Sequence, residues 1–180
     1  MAPMVSRKQP SVIPNWKAFE FLIGDWFGEG WGAPGQGTGT FSFTTDLQGR
    51  VLIRRDHSDY PATEDRPALS HDSFTVIYVD SETSHTRATY FDNEGHSIQY
   101  AVTISVDGKT ATFLSDLLPS RPRFRLTYTN TRPGELELKF EIAPPDQPEQ
   151  FIEYVEATAR KKAPARAIHW TDFNSRSETA

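Results

Sequence analysis

The chain of 180 residues contains no cysteine. Disulfide scaffolds, thiol catalysis, cysteine-ligated zinc and iron–sulfur clusters are therefore excluded. It also lacks any run of about 18 apolar residues, the length that a membrane-spanning helix requires. Arg7 and Lys8 are not followed by an apolar signal-peptide core, because Pro10, Ser11 and Pro14 interrupt the segment. Both absences point to a cytoplasmic protein with no membrane span. Positive charge is scarce as well. Nineteen Lys and Arg stand against 24 Asp and Glu, a net charge of −5. Nucleic acid is thus not an expected partner.

Several motifs are missing too. The histidines His57, His71, His85, His96 and His169 show no His-x-His or His-Glu-x-x-His spacing. A metal site would have to be assembled from separate strands, for instance by His57, His71 and His96, and none is expected. The Gly-rich stretch 32–39 lacks a Gly-Lys-Ser/Thr ending, and no helical pattern follows it. It reads as a lid at a barrel mouth rather than a phosphate loop. No Gly-x-Ser-x-Gly elbow anchors a hydrolase triad. Helical periodicity is confined to 16–23. There Asn15 is a suitable N-cap, Phe19, Leu22 and Ile23 share a face, and Gly24 ends the element.

What remains is rich in aromatics, 12% of the chain, and alternates in the manner of strands. Runs at 26–31, 38–45, 50–58, 71–79, 85–91, 96–106, 109–115, 123–130, 135–142 and 151–160 are separated by turn signals such as Asp107-Gly108. Short connections require antiparallel neighbours. A meander of ten strands leaves two unpaired edges unless it closes. The expected fold is therefore all-β, a roughly ten-stranded antiparallel up-and-down barrel occupying 16–162, with a short N-terminal helix closing one end. A two-sheet sandwich is the alternative. Residues 1–15 read as a flexible leader. Residues 163–180 read as a C-terminal tail, with Ile168, Trp170 and Phe173 available to dock.

Alternation assigns the interior. Leu136, Leu138, Phe140 and Ile142 oppose Glu135, Glu137, Lys139 and Glu141. The same reading turns Tyr78, Tyr90, Tyr100, Tyr128 and Tyr154 inward. Tyrosine combines an apolar ring with a hydroxyl that seeks a partner, so several in one interior suggest a cavity rather than a solid core. On the third strand, Val51 and Ile53 taken as inward carry Arg55 and His57 up the same wall. His96 is in phase with Tyr100. The expected ligand-binding set is Trp31, Arg55, His57, Tyr78, Tyr90, His96, Tyr100, Tyr128 and Tyr154. Arg54 and Arg55, or Arg121, Arg123 and Arg125, supply positive charge for a carboxylate on an amphipathic ligand.

The run FLIGDWFGEG, from Phe21 to Gly30, resembles the opening of the lipocalin-like, nitrobindin-related β-barrel proteins: a short helix, then Gly-x-Trp-x-Gly-Glu-Gly. Tyr78-Val79-Asp80 followed by YFDNEG from Tyr90 to Gly95 is similar to the paired hairpins of an uncharacterised bacterial branch. The ending YVEATAR, from Tyr154 to Arg160, is similar to that branch's final strand. The resemblance covers about 16–162. It implies a calycin-type barrel in which Trp26 plugs the floor, Gly24 permits the helix-to-strand turn, and Arg160 stacks on the Trp26 ring. Gly28 and Gly30 would let the first strand bend. The nitrobindin branch holds haem through a histidine on its last strand. Residues 151–162 contain none, so haem is not expected and no cofactor is assigned.

The leading expectation is a container for a small hydrophobic or aromatic molecule. The alternative is a cofactor-free enzyme doing isomerase- or cyclase-type proton transfer on a hydrophobic metabolite, with His57, His96 and Tyr100 as its catalytic groups. A haem-binding relative comes third. A homodimer is compatible with the sequence.

Overall fold

The computed structural model describes residues 13–163. The leader to residue 12 and the tail from residue 164, with Ile168, Trp170 and Phe173, lie outside the described residues. Ten strands form one closed antiparallel barrel. They are β1 (Gly24–Gly32), β2 (Gly37–Asp46), β3 (Val51–Tyr60), β4 (Leu69–Val79), β5 (Thr86–Asp92), β6 (Ser97–Ile104), β7 (Thr110–Ser115), β8 (Arg123–Arg132), β9 (Glu135–Ala143) and β10 (Ile152–Lys161). Each pairs with its neighbours in chain order, and β10 returns to pair with β1. Trp26 lies opposite Lys161 and Gly32 opposite Val155 across that seam. Closure leaves no edge strand within the barrel. The sandwich alternative is thereby discarded.

The N-terminal element is one 3₁₀ turn, Trp16–Phe19, rather than the expected α-helix over 16–23. Asn15 does cap it, its side chain accepting from the Lys17 N–H at 3.0 Å. The next residues continue as i→i+3 turns, with Leu22 N–H donating to the Phe19 carbonyl at 2.9 Å. A repeat of three residues per turn explains the choice. Trp16, Phe19 and Leu22 then fall on one side, and all three are buried. An α-helical repeat would have splayed them. The Trp16 indole N–H also donates to the Gly49 carbonyl at 2.8 Å, tying this segment to the β2–β3 turn.

This segment covers one end of the barrel. Trp26 sits there, 1% exposed, its indole N–H donating to the Leu22 carbonyl at 2.8 Å. Its ring stacks on Phe41 at 6.0 Å and 10°. Gly24 enters β1 with φ +125°, a conformation that L side chains rarely adopt. The cation against the Trp26 ring is Lys161, with Nζ 5.5 Å from the ring centroid. This corrects the expectation for Arg160. Along a strand alternate residues face opposite ways, and buried Ala159 puts Lys161, not Arg160, on the inner side. The Arg160 side chain is 82% exposed and lies near Glu135.

From this floor the interior is packed by Phe43, Leu52, Ile77, Phe113, Tyr128 and Leu136, all nearly inaccessible. Removal of the Trp26 ring is expected to lower the unfolding free energy by about 3–5 kcal/mol, read as a fall in the urea midpoint of Trp26→Ala. Arg160→Ala should leave the midpoint where it is, because that side chain packs against nothing at the floor.

Candidate functional site

Above the packed half, the barrel encloses a cavity of about 390 Å³ that opens at the end opposite Trp26. Its walls differ. β8 and β9 contribute Phe124, Leu126, Leu138, Phe140 and Ile142, with Phe124 and Phe140 stacked at 6.0 Å. β3, β4 and β5 contribute polar groups: Arg54, Asp56, His71, Ser73, Tyr90 and Asp92. β1 and β2 contribute Gly28, Gly30, Gly37 and Gly39.

Arg54 lies where the packed half meets the cavity, 7% exposed. Its guanidinium donates to Asp56 at 2.7 Å and to the Ser73 hydroxyl at 3.0 Å. It also lies over the Phe41 and Tyr128 rings, at 5.6 and 5.9 Å. Burial alone would lower its pKa, but the Asp56 carboxylate together with the nearby Tyr128, Tyr90 and Tyr100 hydroxyls outweighs it and the value is raised. Burial pushes the Tyr128 hydroxyl up to about 12. Burial likewise drives Tyr90 and Tyr100 well above the ordinary tyrosine value, so both remain protonated donors.

A chain of hydrogen bonds runs from the rim into the cavity. The two His71 ring nitrogens face Glu94 at 2.9 Å and the Tyr90 hydroxyl at 2.9 Å. Tyr90 donates to Asp92 at 3.0 Å, and Asp92 also faces the His96 ring at 2.9 Å. The His96 backbone N–H donates to the same carboxylate at 2.8 Å. Burial alone would lift the Asp92 pKa, but these donors hold it below the usual carboxylate value.

The structure gathers Tyr90, His96, Tyr100 and Tyr154 of the expected set around the cavity. Tyr128 is elsewhere, fully buried in the packed half. Trp31, Arg55, His57 and Tyr78 require correction, since they lie on the outer face. Trp31 is 52% exposed, in phase with Phe27 and opposite Glu156. Arg55 covers the Phe74 ring at 4.7 Å. His57 is held by Asp72 at 2.8 Å and Asp59 at 3.0 Å on the outer surface, beside a more open concavity of about 560 Å³. Tyr78 is out of phase with buried Ser73, Thr75 and Ile77.

For Arg55, His57 and Tyr78 the reason is a one-residue slip on β3 and β4. Leu52, Arg54 and Asp56 face inward, not Val51, Ile53 and Arg55. Ser73 and Thr75 face inward, not Phe74 and Val76. Apolar-in alternation fails where the interior is polar. Arg54, Asp56, Tyr60 and His71 were consequently outside the expected binding set; Asp92, in phase with Tyr90 at the end of β5, was outside it as well. The adjacent apolar pair Leu52-Ile53 was the available sign that the β3 phase was ambiguous.

No protein-family model and no curated protein matches the chain. Among solved structures, Rv2717c from M. tuberculosis aligns with a TM-score of 0.60 at 16% identity, covering 83% of this chain and 98% of that one. S-type phycobiliprotein lyase CPES from Guillardia theta aligns at 0.49 and 9% identity, covering 82% and 92%. A de novo designed fluorescence-activating β-barrel aligns at 0.41 and 14% identity, covering 81% and 97%. The likeness to Rv2717c shows a shared barrel fold. No helix among the described residues is long and apolar enough to cross a membrane.

A depressed folded-state pKa makes Asp92 stabilising above the unfolded carboxylate value of about 4, with that contribution lost as pH falls through the lower folded value. Asp92→Asn should therefore trail the native protein most at about pH 7 and least at about pH 2. Urea unfolding across that range measures the gap, and a gap that widens in acid would contradict the assignment.

Proposed function

We propose that the upper lumen binds a small, mainly apolar or aromatic molecule. The observation that carries this reading is the division of one interior into a packed floor and a two-sided cavity. Its size lies within the ~300–1,000 Å³ common for ligand sites. A wall of Phe, Leu and Ile supplies affinity by apolar burial, and polar groups on the facing side can orient a guest. Burying the Arg54–Asp56 pair costs desolvation that apolar side chains would avoid. Its position at the cavity base supports a role in recognition.

Kinship with the nitrobindin-related barrels is supported by the GDWFGEG opening and the closed ten-strand topology. Their haem does not carry over. β10 presents Tyr154, Val155 and Ala157 to the cavity in place of the family's histidine; of these only Tyr154 could ligate iron, and tyrosinate is a less common haem ligand than histidine. His71 has both ring nitrogens engaged. The reading invokes no cofactor. A second reading, cofactor-free proton transfer on a hydrophobic metabolite, is favoured by the Glu94–His71–Tyr90–Asp92–His96 chain. A rim-to-lumen path of this kind can deliver or remove a proton. On that reading Tyr90 and His71 replace His57.

Titration of the full chain with N-phenyl-1-naphthylamine, an uncharged dye that brightens in apolar surroundings, tests the proposal. A saturable rise is expected. Leu138→Trp, which fills the lumen, should weaken binding by at least about tenfold while keeping the β-sheet circular dichroism. No brightening, or equal binding by the filled variant, would overturn the reading. Native mass spectrometry of the purified chain identifies any co-purified guest.

A further inference from the structure

We propose that the guest is an amphipathic amine, an apolar body carrying one protonated amino group, with the body on the β8–β9 wall and the ammonium against Asp56. This rests on the reading above that the lumen is a ligand site.

Charge is distributed unevenly in the cavity. Its lining holds three carboxylates, Asp56, Asp92 and Glu94, against one guanidinium, Arg54, and no lysine. Arg54 is committed before any guest arrives. Its Nη2 lies 2.7 Å from Asp56 and its Nη1 donates to Ser73, while its Nε, which has no partner, is inaccessible. Among the described residues, the only partners of opposite sign for Asp92 and Glu94 are the rings of His96 and His71, each at 2.9 Å. A histidine balances a carboxylate only while it is protonated. With both histidines neutral the lining carries −2, and with both protonated it reaches zero. It is positive in neither state. Charges in a cleft with apolar walls are weakly screened, so a guest cation is attracted where an anion is not.

Asp56 supplies the point of contact. Its Oδ1 takes the Arg54 bond, whereas its Oδ2 is met only by the Ser73 hydroxyl, at a long 3.4 Å, among the described residues. A carboxylate oxygen has two lone-pair sites, so Oδ2 has room for a donor. An N–H of an ammonium would make a charge-assisted bond there, and with the Asp56 side chain 11% exposed, solvent screens that bond little. Rings stand close by. Burial first, then Asp56 and Tyr154, raise the Tyr60 pKa, which sets these three side chains near one another and keeps the Tyr60 ring uncharged. A cation beside uncharged aromatic faces gains further attraction. The rest of the guest has a place as well. In the ring order of the barrel, β3 lies opposite β8 and β4 opposite β9. A molecule held at Asp56 therefore reaches across to Phe124, Leu138 and Phe140.

Displacement of N-phenyl-1-naphthylamine from the full chain at about pH 7 provides the test. The probes share one body and differ in one group: 4-phenylbenzylamine, 4-phenylbenzyl alcohol and biphenyl-4-carboxylate. The amine should displace the dye at least about tenfold better than the alcohol, and the carboxylate should be the weakest of the three. Asp56→Asn should cut the advantage of the amine over the alcohol at least about threefold. That substitution leaves Arg54 buried without its anion, so the double variant Arg54→Met with Asp56→Leu repeats the measurement with the pair removed whole, and the same loss is expected. Asp72→Asn, which removes a carboxylate from the outer face, should leave the advantage unchanged. An alcohol or carboxylate that matches the amine would overturn the inference, as would an advantage that neither Asp56 variant lessens or one that disappears in Asp72→Asn. If the dye binds and the amine has no advantage, only this inference falls. If the dye does not bind at all, both fall.

Discussion

The Arg54–Asp56 ion pair marks the level at which the barrel changes character. Beneath it the interior is filled by Trp26, Phe41, Phe43 and Tyr128, their rings in stacked, edge and tilted contacts of about 6 Å. Above it the interior is a cavity with one apolar and one polar wall. A guanidinium can occupy this border because its two ends have different needs. One end is satisfied by Asp56 and Ser73, while the flat face rests on Phe41 and Tyr128.

Closure makes that arrangement enforceable. Because β10 returns to β1, each strand is held on both sides, and a local change in register would propagate around the ring. The 3₁₀ turn and the Trp16 and Trp26 indole bonds cover one end, and the cavity lies away from that floor. The hydrogen-bonded chain from Glu94 to His96 then frames part of the cavity mouth. Structure at the bottom and chemistry at the top are consequences of one topology.

The ten strands and their antiparallel order were legible because turn signals are local. Gly108 with φ +70° and the bond from its N–H to Ser105 are set by Asp107-Gly108 itself. The inner faces of β6, β8 and β9 were legible for a similar reason: Ile98, Leu126 and Leu138 alternate with polar residues and line the apolar part of the lumen. β3 and β4 were not. There the lumen is polar, so Arg54 and Ser73 occupy positions that an apolar-in rule gives to Ile53 and Phe74, and Phe74 is sheltered outside by Arg55.

By itself, then, the order of residues determined the number of strands, their turns and the exclusion of thiol and compact metal motifs. These depend on neighbours a few positions apart. Only the tertiary structure decided which face of each polar strand is inside, that Lys161 rather than Arg160 meets Trp26, and that four glycines from two strands line one cavity. Those facts depend on registers between distant segments. A shift of one residue there exchanges inside for outside without altering any local preference.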